Sequence, residues 1–440
     1  MLGVLGTIQN FRLVIMSEEG KQMHALAEEL FPICRSITGE GVRGTLHRVA
    51  CEIPIVIHDV PSGTKVHDWV VPDEWNIRDA WIRGPNGQKV VDFKKCNLHV
   101  VGYSSPISSM MDLSELRHHL YSLPENPDWV PYRTGYYNHS WGFCVAQREI
   151  DLWEDGIYQV FIDAELSAGF LTYGELVVSG QTCEEFLISC HVCHPSLAND
   201  NLSGIVVAVA LARHLLARPG RLTVRFLFIP GTIGSITWLA LHGDVVPRIK
   251  HGLVLTCVGD RGGATYKRSR RSTATIDRVM NYIFQEVGLI ERVLDFVPYG
   301  YDERQYCSLG YNLPIGVLSR STHGSFPEYH TSADNMGFIT EDALSDTLNK
   351  AICAIEMIEA NCIYKNLKPM GEPMLGKVGL YDKGGGGRSG QFGELAMLWV
   401  LSLSDGTVDL LSIAERSKIP FPEIVGASLA LEQAGIIRRS

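Results

Sequence analysis

Apolar positions Met23, Leu26, Ala27 and Leu30 recur at helical spacing, so the stretch after Glu18 reads as an amphipathic helix. From about Cys51 to Leu120 the pattern changes. Ile53–Ile57, Trp69–Val71 and Val90–Phe93 are short β-prone runs broken by Pro, Gly, Asn and Asp, which predicts a small β-rich unit. From Tyr158 onward strands and helices alternate. Glu184–Cys190, Thr223–Ile229 and Leu253–Val258 are apolar strand candidates. Ser203–Leu216 is an apolar helix candidate between the first two, closed by Pro219-Gly220. Longer helical patterns cover Thr273–Val287 and Glu341–Asn361. Strand, helix, strand in this order implies parallel strands with right-handed crossovers, and ligands in such sheets sit at the carboxyl ends of the strands.

The end of the chain is a separate unit. Lys383–Gly390 carries four consecutive glycines and reads as a flexible linker. No strand leads into it and no Gly-Lys-Ser/Thr follows, so it is not a phosphate loop. Three short helical patterns come next: Glu394–Leu401, Asp409–Ser417 with Asp409 as N-cap, and Pro422–Ala434 with Gly435 as C-cap. Three helices closing on Ile436-Ile437 predict a winged helix. Its last helix contains no Lys or Arg, which argues for protein contact or homo-oligomer formation rather than nucleic-acid binding.

Composition narrows the class. The 440 residues are 45% hydrophobic and 20% charged, a soluble globular balance too long for one average domain. The formal charge of -10 argues against a polyanion partner, although Lys267–Arg271 places four cations within five residues. No run reaches the roughly 18 apolar residues of a membrane span. Residues 1–16 lack a cationic leader and a cleavage site, and Met16 is a candidate start. The expected location is cytoplasmic, with the eleven cysteines mostly small buried hydrophobes.

Three clusters carry candidate chemistry. In Cys190–Gly204 a strand delivers His191 and a loop presents Asp200 before Ser203-Gly204 opens a helix; an imidazole and a carboxylate so placed suit zinc. An Asp between two Asn at a helix start is equally an N-cap. The same stretch contains Cys190-x-x-Cys193-His194, the pattern of covalent haem attachment. Its place on a strand and the lack of an export signal speak against haem. No second Cys/His pair supports a structural zinc there. The second cluster is Gly300–Tyr306, a glycine-bounded turn with Asp302, Glu303 and Arg304 that suits either a substrate-facing loop or a salt-bridged surface turn. The third, Pro327–Asn335, sets His330 among hydroxyls and carboxylates able to orient its second nitrogen.

His191, Asn199-Asp200-Asn201-x-Ser203-Gly204 and His330-Thr-x-x-Asp334 resemble the motifs of the M28 zinc aminopeptidases. Leu30–Thr38, Cys193–Asp200, Tyr301–Tyr306 and Pro327–Asn335 are more closely similar to an aminopeptidase-like branch, DUF4910, over nearly the whole chain after Met16. The resemblance implies a mostly parallel α/β sheet flanked by helices over residues 17–50 and 121–368, a β-rich insertion over 51–120 and a winged helix over 369–440. It also implies metal ligands His191, Asp200 as the bridging carboxylate, His330 and, displaced by a few positions, Asp260. The aminopeptidases carry a Glu-Glu pair after the strand matching Thr223–Pro230, and Gly231-Thr232 stand there in this chain. The usual base is therefore missing, at a cost of roughly 10²–10⁴-fold. One zinc is expected rather than two, with Glu303 or Glu328 as replacement base and Asp302, Arg304 and Tyr329 against the substrate. The implied activity is hydrolysis of an amide bond in a small aminoacyl or peptide substrate. The alternatives are a degenerate binding protein and a cyclase or acyl-transfer enzyme, because the fold also hosts glutaminyl cyclases.

Overall fold

The computed structural model describes residues 16–287, 292–380 and 393–440. The glycine run at 383–390 and the first fifteen residues lie outside them. The chain divides into two compact units, one of them Met16–Ile352 and the other holding Cys353–Ser440.

The larger unit is built on an eight-stranded sheet. Its strands are β1 (Val56–Pro61), β2 (Phe170–Val178), β3 (Glu185–His191), β4 (Thr223–Ile229), β5 (Ile249–Leu255), β6 (Thr265–Lys267), β7 (Arg292–Leu294) and β8 (Ile315–Ser319), in the spatial order β1-β2-β4-β3-β5-β8-β6-β7. The core of the sheet, β4-β3-β5-β8, is parallel. The pairs β1-β2, β2-β4 and β8-β6 are antiparallel and the edge pair β6-β7 is parallel, so the sheet is mixed with parallel pairings in the majority. The central strand β3 is buried at all seven positions, which explains its unbroken apolar run. Helices α1 (Met16–Leu30), α2 (Glu40–Ala50), α3 (Ser203–Ala217), α4 (Ile233–Leu241), α5 (Thr275–Val287) and α6 (Glu341–Ala360) complete the scaffold. Among the described residues, the stretch Ala198–Ala217 is the one helical segment long and apolar enough to cross a membrane by composition, and its apolar window is 78% buried as the core helix of this unit. At its start a side chain on Gly204 would meet the Leu255 carbonyl at 2.5 Å, so the helix enters the sheet closely only because residue 204 is glycine.

The β-rich insertion departs from the 51–120 range. Its four-stranded antiparallel sheet runs Lys89–Asp92, Glu74–Arg83, Ile157–Ser167, Ile107–Asp112, and so takes a central strand from beyond residue 120. Val56–Pro61 pairs instead with Phe170–Val178 in the main sheet. The short link between Ser167 and Phe170 lets one continuous stretch serve both sheets. Local patterning marks strands but not their distant partners.

In the smaller unit, helices Glu394–Leu403, Leu410–Ser417 and Phe421–Gln433 accompany a three-stranded sheet of Asp405–Asp409, Ile363–Asn366 and Ile437–Arg439. Asp409 caps its helix by accepting the Ser412 N–H at 2.8 Å, and Gly435 takes a φ of 68° after the last helix.

Candidate metal centre

Register brings three strand ends together: His191 closes β3 opposite Ile229 of β4, while β5 runs alongside with Ser189 opposite Val254. The loop after β3 returns across this edge. Its two asparagines are staples. Asn199 donates to Asp260 Oδ2 at 2.9 Å and accepts from the Gly259 N–H at 2.8 Å; Asn201 donates to the Leu255 carbonyl at 3.0 Å. The carboxylate between them is left to face the histidines. The His191 Nε2 lies 2.9 Å from Asp200 Oδ1, and the His330 Nε2 lies 3.0 Å from Oδ2. The His194 Nε2 is 4.0 Å from Oδ2. Ligand atoms of His191, His194 and Asp200 all fall within 4.8 Å of one another.

His330 comes from a segment zipped to this loop. The Asp334 carboxylate accepts the backbone N–H groups of Asn199 at 2.6 Å and Asp200 at 2.9 Å, and its carbonyl accepts from Ala198 at 3.0 Å. His330 itself has a φ of 56°, a strained conformation for a non-glycine residue, held by the Tyr132 N–H on its carbonyl at 2.7 Å and by the Tyr329 ring stacked 4.0 Å away. The Tyr301 ring stacks on His191 at 5.5 Å, and Tyr132 meets both His194 and His330 edge-on. Side-chain exposure rises from 0% at Asp200 and 2% at His191 to 34% at His330, so the centre opens to solvent on the His330 side.

Electrostatics favour a metal here. Burial raises the Asp200 carboxyl, but the surrounding imidazoles lower it by more and hold it well below the usual range. Burial drives His194 well below its ordinary value, which keeps it a neutral imidazole, the form that binds a cation. Imidazole nitrogens with one carboxylate form a donor set that fits zinc. Burial also pushes the Cys193 thiol up to about 12 and Cys190 well above its usual value, so neither is a thiolate ligand or a reactive thiol.

Other expected residues stand elsewhere. Asp260 is not among the residues facing the cluster. Its Oδ1 accepts from Gly262 N and Ser321 Oγ and its Oδ2 from Asn199 Nδ2 and Ser321 N, so four donors occupy it as a loop staple. Glu303 is fully buried and paired: Lys267 Nζ reaches it at 2.7 Å and the Tyr301 N–H at 2.9 Å. That arrangement departs from a base facing the metal. Asp302 is 1% exposed rather than turned toward a substrate; its Oδ1 accepts from Ser235 Oγ at 2.9 Å, its Oδ2 has no protein partner among the described residues, and burial raises it to about 6. A side chain on Gly231 would begin 3.4 Å from both Asp302 oxygens and 3.1 Å from the His191 Cβ. Arg304 is half-buried, and Glu328 is half-buried with its carbonyl capped by Thr331. The basic run is committed to loop contacts: Lys267 to Glu303, Arg268 to Asp295, and Arg270 and Arg271 to Asn312. His194 is the functional candidate that the sequence hid, inside the haem-like Cys-x-x-Cys-His string.

Comparison with known proteins bears on the family and the fold. The DUF4910 domain model matches residues 24–361, and a winged helix-turn-helix model matches 362–439. A Clostridium acetobutylicum protein, named for polysaccharide biosynthesis with an aminopeptidase-like domain, is 47% identical over 422 residues, 96% of this chain and 97% of that protein. The crystal structure of a candidate peptidase from Clostridium acetobutylicum superposes with a TM-score of 0.93 at 44% identity, covering 100% of both chains. The zinc aminopeptidase of Bacillus subtilis shares the fold at 12% identity, with a TM-score of 0.57 over 78% of this chain and 95% of that one. An M28 peptidase precursor from Shewanella amazonensis shares it at 13% identity and a TM-score of 0.56, over 80% and 96%. The chain is thus a member of the DUF4910 family, an aminopeptidase-like α/β fold carrying a C-terminal winged helix.

Proposed function

We propose that this protein is a zinc-dependent amidohydrolase acting on a small aminoacyl or peptide-like amide. The observation that carries the reading is Asp200, buried between two imidazoles that each face a different carboxylate oxygen, with His194 alongside, at the carboxyl end of the sheet's parallel core strands. His191, His194, Asp200 and His330 are the residues that would hold the metal. Bound there, zinc supplies Lewis-acid polarisation of a carbonyl and acidified water. Tyr301 and Tyr329 stack on His191 and His330 and so orient them. Of the two carboxylates expected as base, Glu303 is consumed by Lys267, and Glu328, two residues before His330, is the proton acceptor we assign. Asp302, held protonatable behind Gly231, shapes the charge beneath His191 rather than contacting substrate.

The supporting experiment is metal content by elemental mass spectrometry beside a panel of aminoacyl amides. The relative's name is reason to include N-acylated amino sugars in that panel. Bound zinc with turnover is expected. His191→Ala with His330→Ala should abolish metal binding, and an unchanged metal content in that variant overturns the site. Glu328→Gln should retain metal and lose roughly 10²–10⁴-fold in kcat. Zinc without turnover supports the second reading, a binding or cyclase-like protein, which Gly231 favours by removing the usual base. For the winged-helix unit we assign contact between protein chains rather than nucleic-acid binding. Its last helix carries no cation and buries Phe421 and Ile424–Ser428. The eleven free cysteines suit a reducing cytoplasmic setting.

A further inference from the structure

Arg35 stands on the segment between α1 and α2 and is 2% exposed. Its Nε donates to the His194 carbonyl at 2.7 Å and its Nη2 to the Pro195 carbonyl at 2.8 Å. Its Nη1 donates to the Leu30 carbonyl, at the end of α1, at 2.6 Å and approaches Thr45 Oγ1 of α2 at 3.5 Å. None of these acceptors is a carboxylate. A guanidinium removed from water onto neutral dipoles alone is costly, and burial pushes its pKa down to about 10. The contacts explain where that cost is applied. Two adjacent N–H groups of one planar fork grip two consecutive carbonyls, a geometry no lysine reproduces. The gripped turn carries His194, whose Nδ1 faces the Cys193 sulfur at 3.8 Å while Nε2 turns toward Asp200.

We propose that Arg35 is a positioning residue of the metal centre: its guanidinium clamps the His194–Pro195 turn to α1 and α2 and so fixes the His194 imidazole beside Asp200. The inference rests on the metal-centre reading above and adds the element that preorganises one ligand. His194 lies on a loop beyond the strand end, where, unlike His191, it has no sheet pairing to hold it. A clamp from the helices supplies the missing constraint.

Cobalt(II) titration of the full-length, chelator-treated protein tests this, followed by visible absorption and accompanied by thermal melts in chelator. Wild type, Arg35→Lys, His194→Ala and the double variant are compared. Arg35→Lys and His194→Ala should each weaken cobalt binding by roughly 10–100-fold. The double variant should bind no more weakly than His194→Ala, because both changes remove the same ligand. Wild-type affinity in Arg35→Lys, or additive losses in the double variant, overturns the proposal. Should Arg35→Lys melt far below wild type in chelator, Arg35→Gln takes its place in the same comparison. Wild type that binds no cobalt overturns the metal-centre reading itself. Cobalt binding that His194→Ala leaves untouched removes His194 from the centre and the Arg35 role with it.

Discussion

A glutamate at position 231 would start beside buried Asp302, since its Cβ would stand 3.4 Å from both Asp302 oxygens. With the new carboxyl turned toward Asp302, the two groups would not both ionise. Asp302, already raised to about 6 by burial, takes the proton and leaves the new side chain free to act as base. Gly231→Glu is therefore expected to raise hydrolysis of aminoacyl-anilides, and adding Asp302→Asn should preserve the gain. Retained metal with no gain would show that the pocket, not the base, limits turnover. His251 gives a separate residue-scale expectation. It is half-buried on β5, its Nδ1 has no hydrogen-bond partner among the described residues, and burial, helped by Arg221 and Lys250, pushes it down to about 4. The unfolded chain takes up that proton near pH 6.5, so the unfolded state binds more protons between pH 6.5 and 4. The contribution is intact above pH 6.5 and is lost as pH falls toward 4, by about 3 kcal/mol in all. His251→Gln should shrink the difference in denaturation midpoint between pH 7 and pH 4.5, measured in chelator. An unchanged difference would remove His251 as its source.

The Lys267–Glu303 pair works at the scale of elements. It joins β6 to the turn after Gly300, and through the Tyr301 N–H it sets the ring that stacks on His191. Breaking a buried pair by removing one partner costs about 3–5 kcal/mol. Lys267→Met is expected to lose that much in denaturant unfolding, whereas Lys267→Met with Glu303→Leu should recover part of it. A single variant as stable as wild type would show that water reaches the pair. Elements of this kind mark the limit of what was legible in the sequence. The strands at Glu184–Cys190 and Thr223–Ile229, the Asp409 cap and the winged helix were readable because each is encoded within a few neighbouring residues. His191, Asp200 and His330 were readable as types in a motif. The pairing of Ile157–Ser167 with Glu74–Arg83, the ion pair that occupies Glu303 and three of the four donors on Asp260 depend on residues tens of positions apart. No local pattern carries that information. His194 was hidden for a different reason, since its neighbours spell another motif.

For the whole molecule, the proposed metal ties stability to the larger unit, which holds all four proposed ligands. An ion that binds the native state at 100 times its Kd adds about 2.7 kcal/mol. Zinc should therefore raise, and chelator lower, the calorimetric transition that unfolds Met16–Ile352. A midpoint indifferent to both would contradict the proposed function. The Asp334 clamp has a consequence for exchange. Because it fastens the backbone of Asn199 and Asp200 to the segment that bears His330, hydrogen bonds rather than coordination set the spacing of the ligands. Removing an ion from such a holder needs no unfolding. In the proposed centre one divalent metal would then replace another without unfolding of the larger unit, and what the cell supplies would decide which ion sits there.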